Sequence, residues 1–337
     1  PVYTVDMKFP IALIQDLDII IRSPLNENER VLAVCDRAHR RLQQAMAALY
    51  PGSLVLTFTA REINRRLMDK ITHINEVPSR PLPQRVLGRN MCVPYGKILR
   101  GMAVPNTVTK SLHTEKIFDH EIKRFTVEEY PDYSPLRNQI RTIKSFDRPV
   151  LLVDDLLHKG YRLRELDPLF KEVGLNVKKI IVGIMSGRGK DLMAIQHRSA
   201  ESVYFLPNLR LWFVESNLYP FIGGESVRRE GRRASAHLIS VNQILPYSAP
   251  AFIRGSSNQA IYQLSMTCLE NAKEIMEVLE REYQKKFERN LTLSRLSEAL
   301  VYPRLPDKGS WMLYDPGLSP SQYIDSDIQL VRRLSSM

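Results

Sequence analysis

The sequence lacks most of the features that would place the chain in a specialised class of protein. Its 337 residues include three cysteines, Cys35, Cys92 and Cys268, and no CxxC pair. This scatter indicates neither a disulfide framework nor a zinc site, and it favours a reducing compartment. No apolar run approaches the ~20 residues of a membrane span, and the first residues lack the basic-then-apolar order of a secretion signal. We therefore expect a cytoplasmic protein with no membrane partner; because the sequence begins at Pro1, a processed form or an excerpt stays open.

Low-complexity tracts and internal repeats are also missing, so we expect an ordered globular chain with a substantial core. The net charge of +11 favours anionic partners such as phosphates, nucleotides or nucleic acid. The basic clusters at 37–41, 61–66 and 228–233 are short, separated and not interleaved with aromatic residues. Solvated helix faces explain such clusters better than a nucleic-acid surface, so nucleic acid is the less favoured partner.

Hydrophobic periodicity predicts an alternation of strands and helices over most of the chain. Predicted helices cover about 27–49, 59–74 and 258–289, and predicted strands cover 53–58, 150–153, 179–185, 202–206 and 211–214. Alternation of this kind implies right-handed crossovers and a mostly parallel sheet. The apolar stripe of the long helix at 258–289 is expected to pack on the core or on a second copy of the chain, and the proline-rich end beyond residue 300 is interpreted as a loop-rich tail.

The segment most suggestive of chemistry is PVLLVDDLLHKGYRL, residues 149–163. A short apolar run is typical of a buried strand of a parallel sheet. Asp154 and Asp155 follow it, and two adjacent carboxylates repel each other and resist burial. The pair therefore predicts something cationic or rich in hydroxyls between the carboxylates, at the edge where open α/β sheets bind ligands.

This segment resembles the ribose-phosphate signature of the type I phosphoribosyltransferases. The resemblance implies that Asp154 and Asp155 hold the ribose hydroxyls of phosphoribosyl pyrophosphate, directly or through Mg²⁺ and its waters. It further implies that the backbone amides of the next five residues cradle the 5-phosphate; these residues are His158, Lys159, Gly160, Tyr161 and Arg162. Amides at a helix N-terminus form an anion site on physical grounds as well, and glycine allows a close approach to phosphate.

Two features depart from the family pattern, because His158 and Lys159 stand where small residues are usual. Bulky basic side chains can grip a phosphate, but they can also fill the pocket. The alternative is a capped turn in which the two aspartates bind only backbone amides.

A second segment, 96–116, contains Arg100 and Gly101 followed by a predicted helix, and it is similar to the pyrophosphate-binding loop of the same family. The resemblance implies that Arg100 and the Gly101 amide face pyrophosphate, with Lys110 as a helper, and it places Arg100 beside Asp154 and Asp155 in the catalytic set. A surface turn is the alternative. The polar stretch 119–148 is either a lid that closes over substrate or a helix-bearing connector.

Two further stretches follow predicted strands. SGRGKD at 186–191 predicts an anion site involving Ser186, Arg188 and Lys190, with Asp191 as helix cap or magnesium partner; a plain strand-to-helix turn is the alternative. In 211–229, the aromatic residues Trp212, Tyr219 and Phe221 either stack on a base or belong to the core.

These observations predict an α/β fold with a mostly parallel sheet flanked by helices, similar to the type I phosphoribosyltransferases. The predicted segments are an N-terminal elaboration at 1–89, the core at 90–254 and a long helix with a tail at 255–337. The expected function is Mg²⁺-dependent binding of phosphoribosyl pyrophosphate or a related nucleotide ligand, with transfer of the phosphoribosyl group to a nitrogenous base if the protein is an enzyme. The alternatives are a non-catalytic sensor or regulatory module with the same fold and, third, a basic nucleic-acid-binding protein. A homodimer is compatible with each.

Overall fold

The computed structural model describes residues 9–83, 86–99, 101–119, 122–228, 238–250, 253, 257–307 and 314–335. The chain divides into two compact units. Unit 1 comprises Pro1–Ala60 and Leu211–Met337, and unit 2 comprises Arg61–Arg210. Unit 2 is therefore continuous in sequence, whereas unit 1 is assembled from both ends of the chain.

The strands are short and spread over the whole chain. In chain order they are β1 (Ile11–Gln15), β2 (Val55–Thr59), β3 (Met91–Pro94), β4 (Thr114–Phe118), β5 (Phe125–Glu129), β6 (Val150–Leu157), β7 (Val177–Ser186), β8 (Ala200–Leu206), β9 (Leu211–Val214), β10 (Glu225–Val227), β11 (Leu238–Val241) and β12 (Arg304–Pro306).

The helices range from a single turn to eight turns. In chain order they are α1 (Leu17–Ile20), α2 (Glu29–Leu49), α3 (Ala60–Ile74), α4 (Leu136–Lys144), α5 (Tyr161–Val173), α6 (Gly187–Ile195), α7 (Asn258–Phe287), α8 (Leu296–Ala299) and α9 (Pro320–Ser335).

Unit 2 is built on a four-stranded sheet in the order β3-β6-β7-β8, in which every neighbouring pair is parallel. Its central strands β6 and β7 each contain a run of buried apolar residues, 150–153 and 180–185, as expected for parallel strands covered on both faces. The inward faces of α4 and α5 complete the core, with Ile140, Ile143 and Leu166 fully buried. An antiparallel hairpin of β4 and β5 belongs to the same unit.

Unit 1 contains a second parallel sheet, in the order β2-β1-β9. Helices α2, α7 and α9 bury their apolar stripes in its core. The side chain of Asn28 caps α2 by accepting from the amides of Arg30 and Val31, and Ser257 caps α7 by accepting from Ala260. Such caps satisfy amide donors that the first helical turn leaves without partners. A small sheet of β10, β11 and β12 lies in the same unit.

The predicted fold class is confirmed: helices flank two sheets that are wholly parallel. The strands predicted at 150–153, 179–185, 202–206 and 211–214 correspond to β6, β7, β8 and β9, and the predicted helices correspond to α2, α3 and α7. Local periodicity sufficed for these elements because each buries one apolar face.

Three expectations were wrong. No helix follows Gly101, because the described chain there runs as turns and a bridge beside β3 until β4 begins. The C-terminal tail contains α9, whose Ile324, Ile328 and Val331 are buried, so its pattern is helical despite the nearby prolines. Strand β9 pairs with β1 rather than continuing the sheet of β6 to β8.

The division into two compact units differs from the predicted segments 1–89, 90–254 and 255–337, whose status as domains stays a prediction. The stretch 119–148 holds β5 and α4, as the connector interpretation expected. Among the helices that the structure describes, none is long and apolar enough to cross a membrane.

Candidate functional site

The acid pair lies inside β6, at the carboxyl end of the parallel sheet of unit 2. Strand β6 continues to Leu157, four residues beyond the predicted end, so Asp154 and Asp155 belong to the strand rather than to the turn after it. Asp154 stands opposite Val182 of β7. Neighbouring parallel strands end at the same edge, so the loops after β6 and β7 and the starts of α5 and α6 meet there.

Arg162, from the first turn of α5, neutralises this pair. Its Nη1 donates to Oδ1 of Asp154 and lies 3.5 Å from Oδ1 of Asp155. The Arg162 side chain is 13% exposed and that of Asp154 is 5% exposed, whereas that of Asp155 is 28% exposed. Adjacent carboxylates predicted a cation between them, and the cation is the chain's own guanidinium.

Gly96, just after β3, leaves room for this ion pair. A Cβ at Gly96 would overlap Oδ1 of Asp154 and Nη1 of Arg162, so one of these side chains would have to move. The preceding residue, Tyr95, is 1% exposed, and its amide donates to the carbonyl of Val153. The segment after β3 thus leaves space for the ion pair at Gly96, and the Tyr95 side chain is hydrogen-bonded to Asp154.

The pKa values of the pair separate in opposite directions. Burial raises the pKa of Asp154 to about 8, against the opposing charge of Arg162. Burial acts on Asp155 as well, but Arg162 and the hydrogen bond with Asp154 hold its pKa below the usual range. Two carboxylates that share one cation cannot both ionise freely, and the more deeply buried one keeps its proton longer. Asp155 is therefore the anionic, accessible member of the pair.

Strand β4 adds two charges to the surroundings. Lys116 lowers the pKa of Asp155, after the larger effects of burial and Arg162, and its Nζ lies 5.3 Å from the ring centroid of Phe125. Glu115 is buried, and its negative charge helps to raise the pKa of Arg162, as do Asp154 and Asp155. The guanidinium therefore stays protonated at every pH at which the protein folds.

The two residues that depart from the family pattern take different positions. His158 is partly buried, and its Nδ1 lies 2.7 Å from Oγ of Ser186 at the end of β7. Burial, together with the charges of Lys159 and Arg188, lowers the pKa of His158, so the ring is neutral at pH 7. Lys159 is exposed, with its Nζ 5.7 Å from the ring centroid of Tyr161.

Gly160 starts helix α5 in a left-handed conformation, with φ of 62°, which glycine adopts without strain. The first-turn amides that follow it have no acceptor within the helix, and no side chain of the described residues caps α5. Tyr161 is 41% exposed, and the guanidinium of Arg164 lies 4.9 Å from its ring centroid. The start of α5 is therefore open and positively charged.

The segment at 186–191 forms the plain strand-to-helix turn that was one of its two interpretations. Ser186 is fully buried and caps α6 by accepting from the amide of Gly189, so the predicted cap Asp191 does not serve as one. Arg188 and Lys190 are exposed in the first turn of α6, and Nζ of Lys190 lies 5.3 Å from the ring centroid of Phe205. Two exposed cations thus lie at this edge, and their role in binding stays a prediction.

In the second predicted phosphate loop, 96–116, Gly96 lies against the acid pair, but Gly101 and Lys110, the two described residues predicted to bind pyrophosphate, make no described contact with it. Gly101 is exposed with φ of 71°, and Lys110 is exposed, with its amide donating to the carbonyl of Cys92. The side-chain partners of Asp154 and Asp155 among the described residues include neither of them. Arg100, predicted to face pyrophosphate, lies outside the described residues.

The donor set around the acid pair does not fit a directly bound Mg²⁺. Nη1 of Arg162 stands against the carboxylate oxygens that a metal would use, and the Nε donor of Arg162 is buried without a hydrogen-bond partner among the described residues. A cation would meet a donor there, whereas Mg²⁺ requires oxygen ligands. Within the described part of the chain, no group of three His, Cys, Asp or Glu residues is placed to hold a metal ion. The Mg²⁺ requirement implied by the resemblance stays a prediction.

Unit 1 carries a second buried carboxylate cluster, also at the carboxyl end of a parallel sheet. Glu215, directly after β9, is fully buried and contacts Nδ1 of His39 from α2. It also accepts from the hydroxyl of Tyr219 at 2.9 Å. Asp16, directly after β1, accepts from both the amide and the hydroxyl of Ser216. Each acceptor is satisfied from within the unit, and Tyr219 is core rather than a stacking platform.

Sequence reasoning missed the partners of the acid pair: Tyr95, Gly96, Glu115 and Lys116. The signal for Gly96 is the short apolar run of β3, MCVP, which ends two residues before it. Strand β3 was not predicted, because four residues are too few for a periodicity to stand out.

An open groove of about 510 Å³ lies at the opposite edge of the sheet of unit 2. Residues at the amino ends of β7 and β8 line it, among them Lys179, Arg198 and Ser199. Open α/β sheets bind ligands at the carboxyl edge. We therefore take the acid pair, rather than this groove, as the candidate site.

No family model and no curated protein matches the chain. Solved structures do match it. The crystal structure of the purine phosphoribosyltransferase from Pyrococcus horikoshii Ot3 is 13% identical, with a TM-score of 0.24 over 46% of this chain and 86% of that chain. The AQ2163 protein from Aquifex aeolicus is 13% identical, with a TM-score of 0.29 over 58% of this chain and 88% of that chain. At these TM-scores the similarity carries no argument about ligand or activity.

Proposed function

We propose that unit 2 binds a phosphoribosyl compound or a nucleotide at the carboxyl edge of its parallel sheet. The observation that carries the proposal is the junction of β6 with α5, where an accessible carboxylate and an uncapped helix start lie next to each other. Asp155 offers acceptors for ribose hydroxyls, and the first-turn amides of α5 offer donors for a phosphate. A ribose phosphate needs both kinds of partner within the length of one sugar.

The charges at this edge favour an anion. Lys159 precedes the helix start, and Arg188 and Lys190 stand exposed in the first turn of α6, which begins after the neighbouring strand. Because Arg162 offsets the charge of the acid pair, the carboxylates do not cancel this positive field. A phosphate at the start of α5 therefore gains from the helix dipole and from flexible side-chain cations.

Transfer of the phosphoribosyl group stays part of the prediction that came with the resemblance. In that reaction a nitrogen nucleophile displaces pyrophosphate from C1 of the sugar, and the departing pyrophosphate requires positive charge. Arg100 was predicted to supply it and lies outside the described residues.

One observation favours the second candidate, a non-catalytic sensor or regulatory module. Arg162 holds the carboxylate that the resemblance assigns to substrate and metal, which suits retention of a ligand better than turnover.

Calorimetric titration with phosphoribosyl pyrophosphate and with AMP tests the proposal, and each titration is run in Mg²⁺ and in EDTA. We expect saturable binding that Asp155→Asn weakens about tenfold, since a hydrogen bond to a charged group contributes about 1.5–3 kcal/mol. Asn keeps the acceptor that bonds the Leu156 amide at 2.8 Å, so the strand is left intact.

The matched control is Asp167→Asn in the same helix α5, where Asp167 pairs with Arg198 at 2.8 Å, near the amino end of β8. Equal binding by both variants, or no binding by the unaltered protein, would contradict the proposal. A pyrophosphate-release assay on a panel of bases then separates the enzyme from the sensor.

A further inference from the structure

We propose that the guanidinium of Arg162 is the permanent cation of the ribose site in place of a divalent metal, so that the site takes phosphate monoesters of ribose without Mg²⁺. This inference rests on the proposed function for its ligand. The claim that Arg162 excludes a divalent metal does not depend on the proposed function, and titration with a metal ion alone can test it.

The first step is the position of the charge. Nη1 of Arg162 contacts Asp154 and lies 3.5 Å from Asp155, so one group bridges both carboxylates, as a bound divalent ion would. A guanidinium is charged at every relevant pH and presents several donors in a fixed plane. An ion entering this site would have to displace a side chain that is only 13% exposed.

The second step is that the surroundings are shaped for the arginine. The missing side chain at Gly96 provides the space into which the Asp154–Arg162 pair packs, since a Cβ there would overlap both partners. Glu115, buried on β4, adds negative charge that favours the guanidinium. Three separate segments, the turn after β3, strand β4 and helix α5, therefore each favour a cation at this position.

The third step concerns the ligand. Mg²⁺ in phosphate sites is held by one or two carboxylates together with the phosphates of the substrate, and it offsets the concentrated charge of a diphosphate. With a guanidinium fixed between the carboxylates, the other described cations at this edge include the exposed side chains of Lys159, Arg188 and Lys190. They and the first-turn amides of α5 suit a single phosphate. Ribose 5-phosphate and nucleoside 5′-monophosphates carry a single phosphate. They also carry ribose hydroxyls, from which Asp155 can accept hydrogen bonds.

The first experiment uses the metal alone. Mn²⁺, a spectroscopic substitute for Mg²⁺, is titrated into the unaltered protein, Arg162→Thr and Arg164→Thr, and free Mn²⁺ is measured by electron paramagnetic resonance. Arg164→Thr is the matched control, because Arg164 lies in the same helix and does not contact the acid pair. We expect a gain in Mn²⁺ affinity of about tenfold or more in Arg162→Thr alone, the size by which supporting groups alter metal sites.

Adding Asp155→Asn to Arg162→Thr should remove that gain. Stoichiometric Mn²⁺ binding by the unaltered protein that Asp155→Asn abolishes would overturn the proposal. This comparison involves no change at Arg162, so it decides the question even if Arg162→Thr fails to fold, which circular dichroism would show.

The second experiment compares ligands. Ribose 5-phosphate, AMP and phosphoribosyl pyrophosphate are titrated by calorimetry in EDTA and in Mg²⁺. We expect the two monoesters to bind equally well in both buffers. Binding that requires Mg²⁺ would overturn the proposal. If none of the three ligands binds in either buffer, the proposed function fails, and the Mn²⁺ result alone decides the role of Arg162.

Discussion

The two units place a buried carboxylate at the carboxyl end of a parallel sheet and balance it with different cations. In unit 2 the partner of Asp154 is Arg162, which cannot lose its proton. In unit 1 the partner of Glu215 is His39, which can lose its proton and whose pKa is raised because the hydrogen bond with Glu215 outweighs burial. The same arrangement, a carboxylate at the carboxyl end of a parallel sheet, therefore has a permanently charged partner in unit 2 and a partner whose charge depends on pH in unit 1.

The second difference is accessibility. Asp155 leaves a partly exposed carboxylate beside the arginine, next to an uncapped helix start. Around Glu215 the acceptors are filled by His39 and Tyr219, and Asn271 in turn donates to the Tyr219 hydroxyl at 3.0 Å. Unit 2 therefore offers unfilled acceptors and donors to a ligand, whereas the unit 1 network is complete within the unit.

The largest expected effect comes from removing the permanent cation. Arg162→Met should destabilise unit 2 by about 3–5 kcal/mol, because it leaves the anionic Asp155 without the cation that the two carboxyl groups share. Hydrogen exchange of the β6 and β7 amides, which reports on unit 2 alone, measures the change. The double variant Arg162→Met with Asp155→Asn should recover most of the loss, and equal losses in the single and double variants would show that the charge is not the cause.

Gly96→Ala should have the second largest effect and destabilise unit 2 by about 1–3 kcal/mol, the usual cost of forcing an extra group into a packed interior. The new Cβ would meet both Asp154 and Arg162, so one of them must move. Gly101→Ala serves as the control. It has φ of 71° and open space around it, so it should cost only the backbone strain of about 1 kcal/mol. Exchange rates of the β6 amides in the two variants provide the comparison, and a larger loss from Gly101→Ala would contradict the packing argument.

The stability of unit 2 should fall as the pH rises, because the pKa of Asp154 is raised in the folded protein. Its pKa is raised from 3.8 to about 8, so its contribution to stability is complete below pH 4 and is lost as the pH rises through 8. The lowered pKa of Asp155 acts only at more acidic pH, where protonation removes its contribution. Asp154→Asn should therefore flatten the fall in β6 protection between pH 4 and 8. An unchanged slope would show that Asp154 is ionised throughout this range.

The smallest expected effect is in unit 1. Burial opposes the charged form of His39, but the hydrogen bond with Glu215 prevails and raises its pKa, with Asp18 and Asp36 adding to it. His39 therefore stabilises unit 1 below pH 6.5, and this contribution is lost as the pH rises through the raised value. His39→Gln, which keeps a donor for Glu215, should cost about 1 kcal/mol at pH 6 and less at pH 9.

Tryptophan fluorescence reads this effect selectively, because both tryptophans, Trp212 and Trp311, fall in the sequence of unit 1. His73→Gln, at an exposed position in α3, is the control. If the two histidine variants unfold with the same dependence on pH, the titration does not belong to His39.

The sequence predicted much of the fold and one half of the site. Local periodicity predicts strands β6 to β8 and helices α2, α3 and α7. The two adjacent carboxylates predict a cation between them. Local patterns could not say that Arg162 is this cation. The contact spans eight residues and depends on the left-handed turn at Gly160 that directs α5 back to the strand.

Contacts between distant segments were out of reach for the same reason. Gly96 meets the pair only because β3 lies beside β6 in the sheet, and His39 meets Glu215 across 176 residues of sequence. Without the pairing of the strands, neither residue differs from other glycines and histidines of the chain.

The discontinuous sequence of unit 1 has a consequence for synthesis on the ribosome. Strand β1 at Ile11–Gln15 must wait for its partner β9 at Leu211–Val214, whereas unit 2 emerges as one uninterrupted stretch between them. At roughly 5–20 residues per second, that wait lasts about 10–40 s. During this time the nascent chain can complete unit 2 while the apolar β1 and the inner face of α2 still lack most of their core. Chaperones that recognise apolar segments should therefore bind the nascent chain at β1 and α2 until β9 has been synthesised.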